Sequence, residues 1–252
     1  AVRTWKVQNP ARFKAKVLGE FTDEDDNSFF SEYQISRAFD TVLPGSDDRP
    51  VLGVDVARMG LDETVVVVND GGRIRKFVGD GTVDAPEGVW GKTDVVETAR
   101  LVNVDASGIG GAVFDILDSE EYADKPYAVM GLNGGYRSPN QLRWANARAW
   151  QHAHFRDLID AGLIDLDPAD KQLRREMEFV TWKVGAKSAE QITSKDELRK
   201  LLGASPDALD AVIYSCVDPD ELADLMGDSD GSGAVDRDVV VDVEGLEGDP
   251  FL

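Results

Sequence analysis

Val51-Leu52-Gly53-Val54-Asp55-Val56-Ala57 is a short apolar run broken by one carboxylate, and Thr64-Val65-Val66-Val67-Val68 is β-branched throughout. Asn69-Asp70-Gly71-Gly72 is a turn signal leading into Ile74-Arg75-Lys76-Phe77-Val78. Apolar and β-branched runs joined in this way predict three consecutive antiparallel strands. A short helical stretch is expected near Asp94–Arg100, then a strand, Leu101-Val102-Asn103-Val104, ending at Asp105. Val113, Ile116 and Leu117 give Gly108–Asp118 a helical period, and Tyr127–Leu132 reads as a fifth strand. Beyond it, Gln141–Ala161 predicts one long helix closed by Gly162. A helix at Lys171–Phe179, a hairpin within Trp182–Ile192 and a short helix at Lys195–Leu202 follow. The last helix begins at Ser205-Pro206-Asp207, with Ser read as the N-cap, Pro as the first helical residue and an acid in the first turn.

This order, three antiparallel strands and then alternating helix and strand, predicts a ribonuclease H-like α/β fold, a mixed sheet flanked by helices. No internal repeat is present. Residues 1–50 mix aromatic and charged positions without a sustained period and read as a linker with short local structure. Residues 51–218 are the expected domain, and 219–252, with Gly-Asp-Ser-Asp-Gly-Ser-Gly among them, read as a disordered acidic tail.

Composition narrows the chemistry. An apolar fraction of 42% and a charged fraction of 30% over 252 residues suit a soluble chain with one sizeable core. No run approaches a membrane span, and no charged-then-apolar leader stands at the N-terminus. Cys216 is the only cysteine, and His152 and His154 are the only histidines. Disulfides, cysteine-based zinc sites and histidine-centred triads therefore have little or no material. Metal chemistry would rest on oxygen ligands, which favours Mg²⁺ or Mn²⁺.

Three acidic positions stand out. Asp55 lies in an apolar strand, where a lone carboxylate costs several kcal/mol unless it is paired, exposed or bound to a cation; a fraying strand end facing water is the plain alternative. Asp105 ends a second apolar strand and either joins a site or caps the turn Ser107-Gly108-Ile109-Gly110-Gly111. That glycine-rich turn is also a weak candidate phosphate cradle. Asp207 and Asp210 share one face of the last helix just before Ala211-Val212-Ile213-Tyr214, so an acidic face sits on a mostly buried helix. Converging carboxylates repel one another unless cations neutralise them. Two divalent ions about 4 Å apart do this, and such a pair activates water and stabilises the leaving oxygen in phosphodiester cleavage.

The flanking residues carry a resemblance. Gly53-Val54-Asp55-Val56-Ala57-Arg58-Met59-Gly60-Leu61-Asp62-Glu63-Thr64 is similar to the first nuclease motif of phage terminase large subunits, and Val104–Gly110 resembles their second. Ser194-Lys195-Asp196-Glu197-Leu198 with Gly203–Ala211 resembles the third region, and Val17–Phe21 resembles the segment joining the motor ATPase to the nuclease. The resemblance spans roughly residues 14 to 216. It implies an endonuclease that cuts concatemeric viral DNA during packaging, using two Mg²⁺ or Mn²⁺ ions. Asp55, Asp105 and one or both of Asp207 and Asp210 would be ligands, with Asp210 favoured as the direct one. Asp62 would be an accessory ligand, and Arg58 or Lys195 would touch the scissile phosphate. Duplex DNA, an ATPase domain, a terminase small subunit and a portal are the implied partners, and the host cytoplasm is the implied location, with no secretion. The family's Walker A motif is absent, so no ATPase activity is expected, and the linker-like start suggests a nuclease half separated from its ATPase.

Three rival readings stand beside this one. A nucleotide-binding module of the actin and sugar-kinase type would need small residues after Asp55, where Val56-Ala57-Arg58-Met59 stands. A Holliday-junction resolvase of the same fold also ends in an Asp-x-x-Asp-Ala helix. A non-enzymatic packaging scaffold leaves the carboxylates unexplained. The net charge of −21 opposes free DNA binding. Residues 217–252, with 12 acids against one Arg, hold −11 of it, so the body remains acidic. Adaptation to a high-salt host would also explain few lysines and abundant aspartate.

Overall fold

The computed structural model describes residues 27–56, 64–78, 98–107, 109–117, 126–185, 189–220 and 222. Its centre is a five-stranded mixed sheet built from β1 (Val51–Asp55), β2 (Val65–Asp70), β3 (Arg73–Val78), β4 (Leu101–Asp105) and β5 (Ala128–Leu132), in the order β3-β2-β1-β4-β5. The first three strands are antiparallel neighbours, and β4 and β5 join parallel on the far side of β1. Between β2 and β3, Gly71 and Gly72 both hold positive φ, 62° and 94°, as a two-residue hairpin turn of the primed type demands. Central strands must be apolar on both faces. β1 and β4 are accordingly buried along their whole length.

One face of the sheet packs on α2 (Ile109–Leu117), through Leu52, Val54, Val102 and Val104 against Val113 and Leu117. The other face carries the larger core. It is built with α1 (Glu32–Asp40), α3 (Ala147–Ala161), α4 (Lys171–Phe179) and α6 (Asp207–Tyr214), while α5 (Lys195–Leu202) contributes Leu198. A small hairpin, β6 (Trp182–Val184) with β7 (Glu190–Ile192), stands before α5. Helix α6 lies directly on β1. A Cβ added to Gly53 would come within 2.0 Å of the Ala211 carbonyl oxygen, so only glycine allows this approach.

Several expectations shift in detail. The stretch read as a linker holds α1, closed by a capping box in which Ser31 accepts from the Gln34 amide and Gln34 accepts from Ser31. Phe29, Phe30, Ile35, Ala38 and Phe39 join the main core from this segment. The helix expected over Gln141–Ala161 begins at Ala147, because Asn146 accepts from the Ala149 amide and caps it, while Gly162 closes it in the left-handed conformation. Ser205 does not cap the last helix. Pro206 holds the cap position, with no side-chain bond, and α6 starts at Asp207. Residues 94–97 of the expected Asp94–Arg100 helix, Val17–Phe21 and the acidic tail beyond Leu222 fall outside the described residues, and 98–100 are not helical. Among the described residues, no helix is long and apolar enough to cross a membrane.

Candidate active site

Strand alternation decides where the acids point. Gly53 faces α6, so Asp55, two residues on at the end of β1, faces the same side. On β4, Asn103 donates to the carbonyls of Tyr214, the last residue of α6, and Val217 just beyond it, so Asp105 faces that side too. Asp55 and Asp105 thus end adjacent parallel strands, one place beyond the paired Val54 and Val104. Asp207 and Asp210 project from the first turn of α6 toward the same edge. All four carboxylates are buried, with Asp210 at 1% exposure.

Lys195 is the hub of this cluster. Its Nζ lies 2.8 Å from Asp55 Oδ2, 3.3 Å from Asp207 Oδ1 and 3.3 Å from Asp210 Oδ2. The lysine is the first residue of α5, held in place by a second capping box. Ser194 accepts from the Glu197 amide, and the Glu197 carboxylate accepts from the Ser194 amide. A second cation reaches Asp210 from below. Arg148, in the first turn of α3, bonds Asp210 Oδ1, and its Nε and Nη2 are buried with no hydrogen-bond partner. Asp210 Oδ2 is likewise buried and without a hydrogen bond.

The electrostatics follow from burial against these two cations. Burial raises the Asp55 carboxyl well above its ordinary range, Lys195 opposes this, and Asp210 and Asp207 push it further up. Asp210 is desolvated as well, yet Arg148 and then Lys195 hold it below the ordinary carboxylate value. Burial would lower the Lys195 ammonium, but Asp210, Asp55 and Asp207 outweigh it and hold the proton on. Tyr214 is raised far up by burial and by Asp210, Asp105 and Asp55, so it stays neutral here. Asp105 is tied differently: its Oδ1 accepts from the Ser107 amide at 2.9 Å and from the Ser107 hydroxyl. The turn role foreseen for it is therefore real, and it coexists with a place at the edge of the cluster.

Two residues that matter here are absent from the sequence reading. Arg148 had one visible signal, a cation in the first turn of a helix, where the macrodipole disfavours it. Glu176 had another, a carboxylate among Leu173 and Met177 on the buried stripe of α4. Its carboxylate accepts from the Leu209 amide at 2.7 Å and from Gln172, so α4 supplies the cap that α6 lacks. Burial pushes Glu176 up to about 7. His152 is buried against Phe29 and Phe30 and lowered to about 3 by burial and Arg148, which makes it a neutral core residue. Lys195, one of the two candidate phosphate contacts, sits among the acids. Asp62 and Arg58 lie outside the described residues.

Among the described residues, no three His, Cys, Asp or Glu side chains form a ready-made metal cage. The donor set nevertheless suits a hard divalent cation. Three carboxylates converge on one cationic centre, all donors are oxygen, and the buried Asp210 Oδ2 faces that centre without a hydrogen bond.

No protein-family model matches the chain, and no curated protein matches it. Solved structures do. The nuclease domain of the large terminase subunit gp2 of bacterial virus Sf6 superposes with TM-score 0.64 at 18% identity, over 75% of this chain and 98% of that one. A variant of that domain solved with manganese gives 0.62 at 17%, over 75% and 99%. The large terminase nuclease from thermophilic phage G20c with bound magnesium gives 0.54 at 16% identity, over 76% and 97%. The chain has the ribonuclease H-like fold of phage large terminase nuclease domains.

Proposed function

We propose that this chain is a metal-dependent DNA endonuclease that cuts viral DNA during genome packaging. The observation that carries the reading is the convergence of Asp55, Asp207 and Asp210 on one cationic point, with Asp105 ending the neighbouring strand. Asp55, Asp105, Asp207 and Asp210 would hold two Mg²⁺ or Mn²⁺ ions. When bound, such ions activate water and stabilise the leaving oxygen of a phosphodiester. Arg148 takes one oxygen of Asp210 and keeps the carboxylate ionised, which leaves the other oxygen turned toward the shared point. Lys195 neutralises the cluster meanwhile, and its side chain, 36% exposed, is long enough to swing toward solvent when another cation replaces it. Asp62 and Arg58 remain candidates for an accessory ligand and a phosphate contact. An ATPase domain, a terminase small subunit and a portal are the partners this reading brings with it.

Plasmid cleavage in Mn²⁺ or Mg²⁺ tests the proposal, with wild type set beside Asp55→Ala and Asp210→Ala. Wild type nicks and linearises the plasmid, and each variant loses at least a hundredfold in rate, in line with the loss of a ligand or activating group (about 10² or more). Cleavage that survives both substitutions overturns the mechanism. Measurable ATP binding by the chain would favour the nucleotide-binding rival instead.

A further inference from the structure

A DNA-cutting site ringed by carboxylates needs a surface that accepts phosphates, and the chain is acidic nearly everywhere. The longest stretch without an acid departs from that rule. From Lys125 to Arg156 there is no Asp or Glu, in a chain with 48 acids among 252 residues, and Arg137, Arg143, Arg148 and Arg156 lie within it. The middle of this stretch is the loop 133–146, between β5 and α3.

Both ends of the loop are tied to the candidate site. Leu132, the residue before it, pairs in register with Asp105, and its carbonyl accepts from Ala106. At the other end, Arg148 bonds Asp210. The loop is also built rather than slack. The Tyr136 carbonyl accepts from Ala147, the Gly134 carbonyl from Arg148, and the Asn140 carbonyl from Trp144. Ser138 and Trp144 are buried beneath it, and the Glu190 main chain exchanges bonds with Arg143 and Ala145. Tyr136, Arg137, Leu142 and Arg143 are among the residues it exposes to solvent. Arg143 stacks on Trp144 with its guanidinium carbon 4.6 Å from the ring centre, a contact that leaves N–H groups available for further bonds. Among the described residues, neither Arg137 nor Arg143 has a carboxylate partner, although acids outnumber bases by 48 to 27 in the sequence.

We infer that the loop 133–146 is the DNA-backbone platform of this site, with Arg137 and Arg143 contacting phosphates beside the scissile bond. This rests on the nuclease reading for its substrate, and on the acid-free, anchored loop for its location. A preordered loop loses little entropy on binding, and two guanidinium groups on a loop anchored at the site offset the repulsion that the carboxylates exert on an approaching phosphate. Because no base edge is needed, the contacts are indifferent to sequence.

The test is the anisotropy of a fluorescein-labelled DNA duplex against the full chain, over a range of salt, in Ca²⁺ and in EDTA. Arg137→Gln and Arg143→Gln should each reduce the slope of log affinity against log salt by about 0.9, and the pair by about 1.8. Arg143→Lys, which keeps the charge, should retain the slope, and Arg100→Gln, at the opposite end of β4, should match wild type. Cleavage in Mn²⁺ is read in parallel. Unchanged slopes in both Gln variants, with cleavage intact, overturn the platform and leave the nuclease reading standing. Reduced slopes with a wild type that cuts nothing support the platform and overturn the nuclease. A wild type that binds no duplex in either condition overturns both.

Discussion

At the scale of single residues, the site is a balance between acids that cannot be buried together and two cations that make it possible. Removing one partner of a buried pair is far worse than never having built it, because the survivor is left charged and dry. Arg148 is paired with Asp210 and mostly buried, so it is a fixed part of the scaffold. Lys195 differs, since it serves three carboxylates at once and reaches solvent along its stem. Lys195→Met should therefore destabilise the chain by about 3 kcal/mol without metal. In that variant Asp55, Asp207 and Asp210 lack their shared cation, so Mn²⁺ has more to neutralise. The expected result is a larger rise in melting temperature with Mn²⁺ than in wild type, because a ion that binds only the folded state stabilises it by mass action. A variant whose melting is indifferent to Mn²⁺ would argue against a divalent site at this point.

At the scale of elements, the device that sets the geometry is the junction of α4 with α6. Pro206 cannot cap α6 with its side chain, and Glu176 does so from the neighbouring helix. The fold raises this carboxyl from 4.5 to about 7. Between those values the folded state holds a proton that the unfolded chain has already released. Its stabilising effect is thus complete below about pH 4.5 and is lost as pH rises through about 7. Glu176→Gln carries no titrating proton, so urea unfolding should show the variant gaining on wild type between pH 5 and pH 8, by on the order of 3 kcal/mol. An equal gap at both pH values would sink the assignment. This junction also marks what could be read beforehand and what could not. The three first strands, α4, α5 and the strand-end acids were legible, because alternation, β-branching and capping residues are local signals. The starts of α3 and α6, the packing of α1 into the core and the roles of Glu176 and Arg148 were not. Apart from the start of α3, which Asn146 caps locally, each depends on a partner distant in sequence, as Glu176 does on Leu209, and no local pattern carries that pairing.

At the scale of the whole molecule, charge acts in two opposite directions. A net charge of −21 repels itself in the compact state, and it repels duplex DNA. Residues 217–252 carry about half of this excess, while the acid-free loop at the candidate site runs against it. Folding and DNA binding should consequently answer salt with opposite signs. Added salt screens the self-repulsion and also any pairing between Arg137 or Arg143 and phosphate. Raising NaCl from about 50 to about 200 mM should increase the melting temperature of the chain. Over the same range duplex affinity should fall by about tenfold, the change expected when two phosphate contacts are made. Calorimetry and anisotropy on one preparation measure both responses. If the melting temperature fell with salt, paired surface charges rather than net repulsion would dominate the fold's electrostatics. A flat affinity would mean that DNA is held by something other than phosphate contacts, and the loop would lose its role.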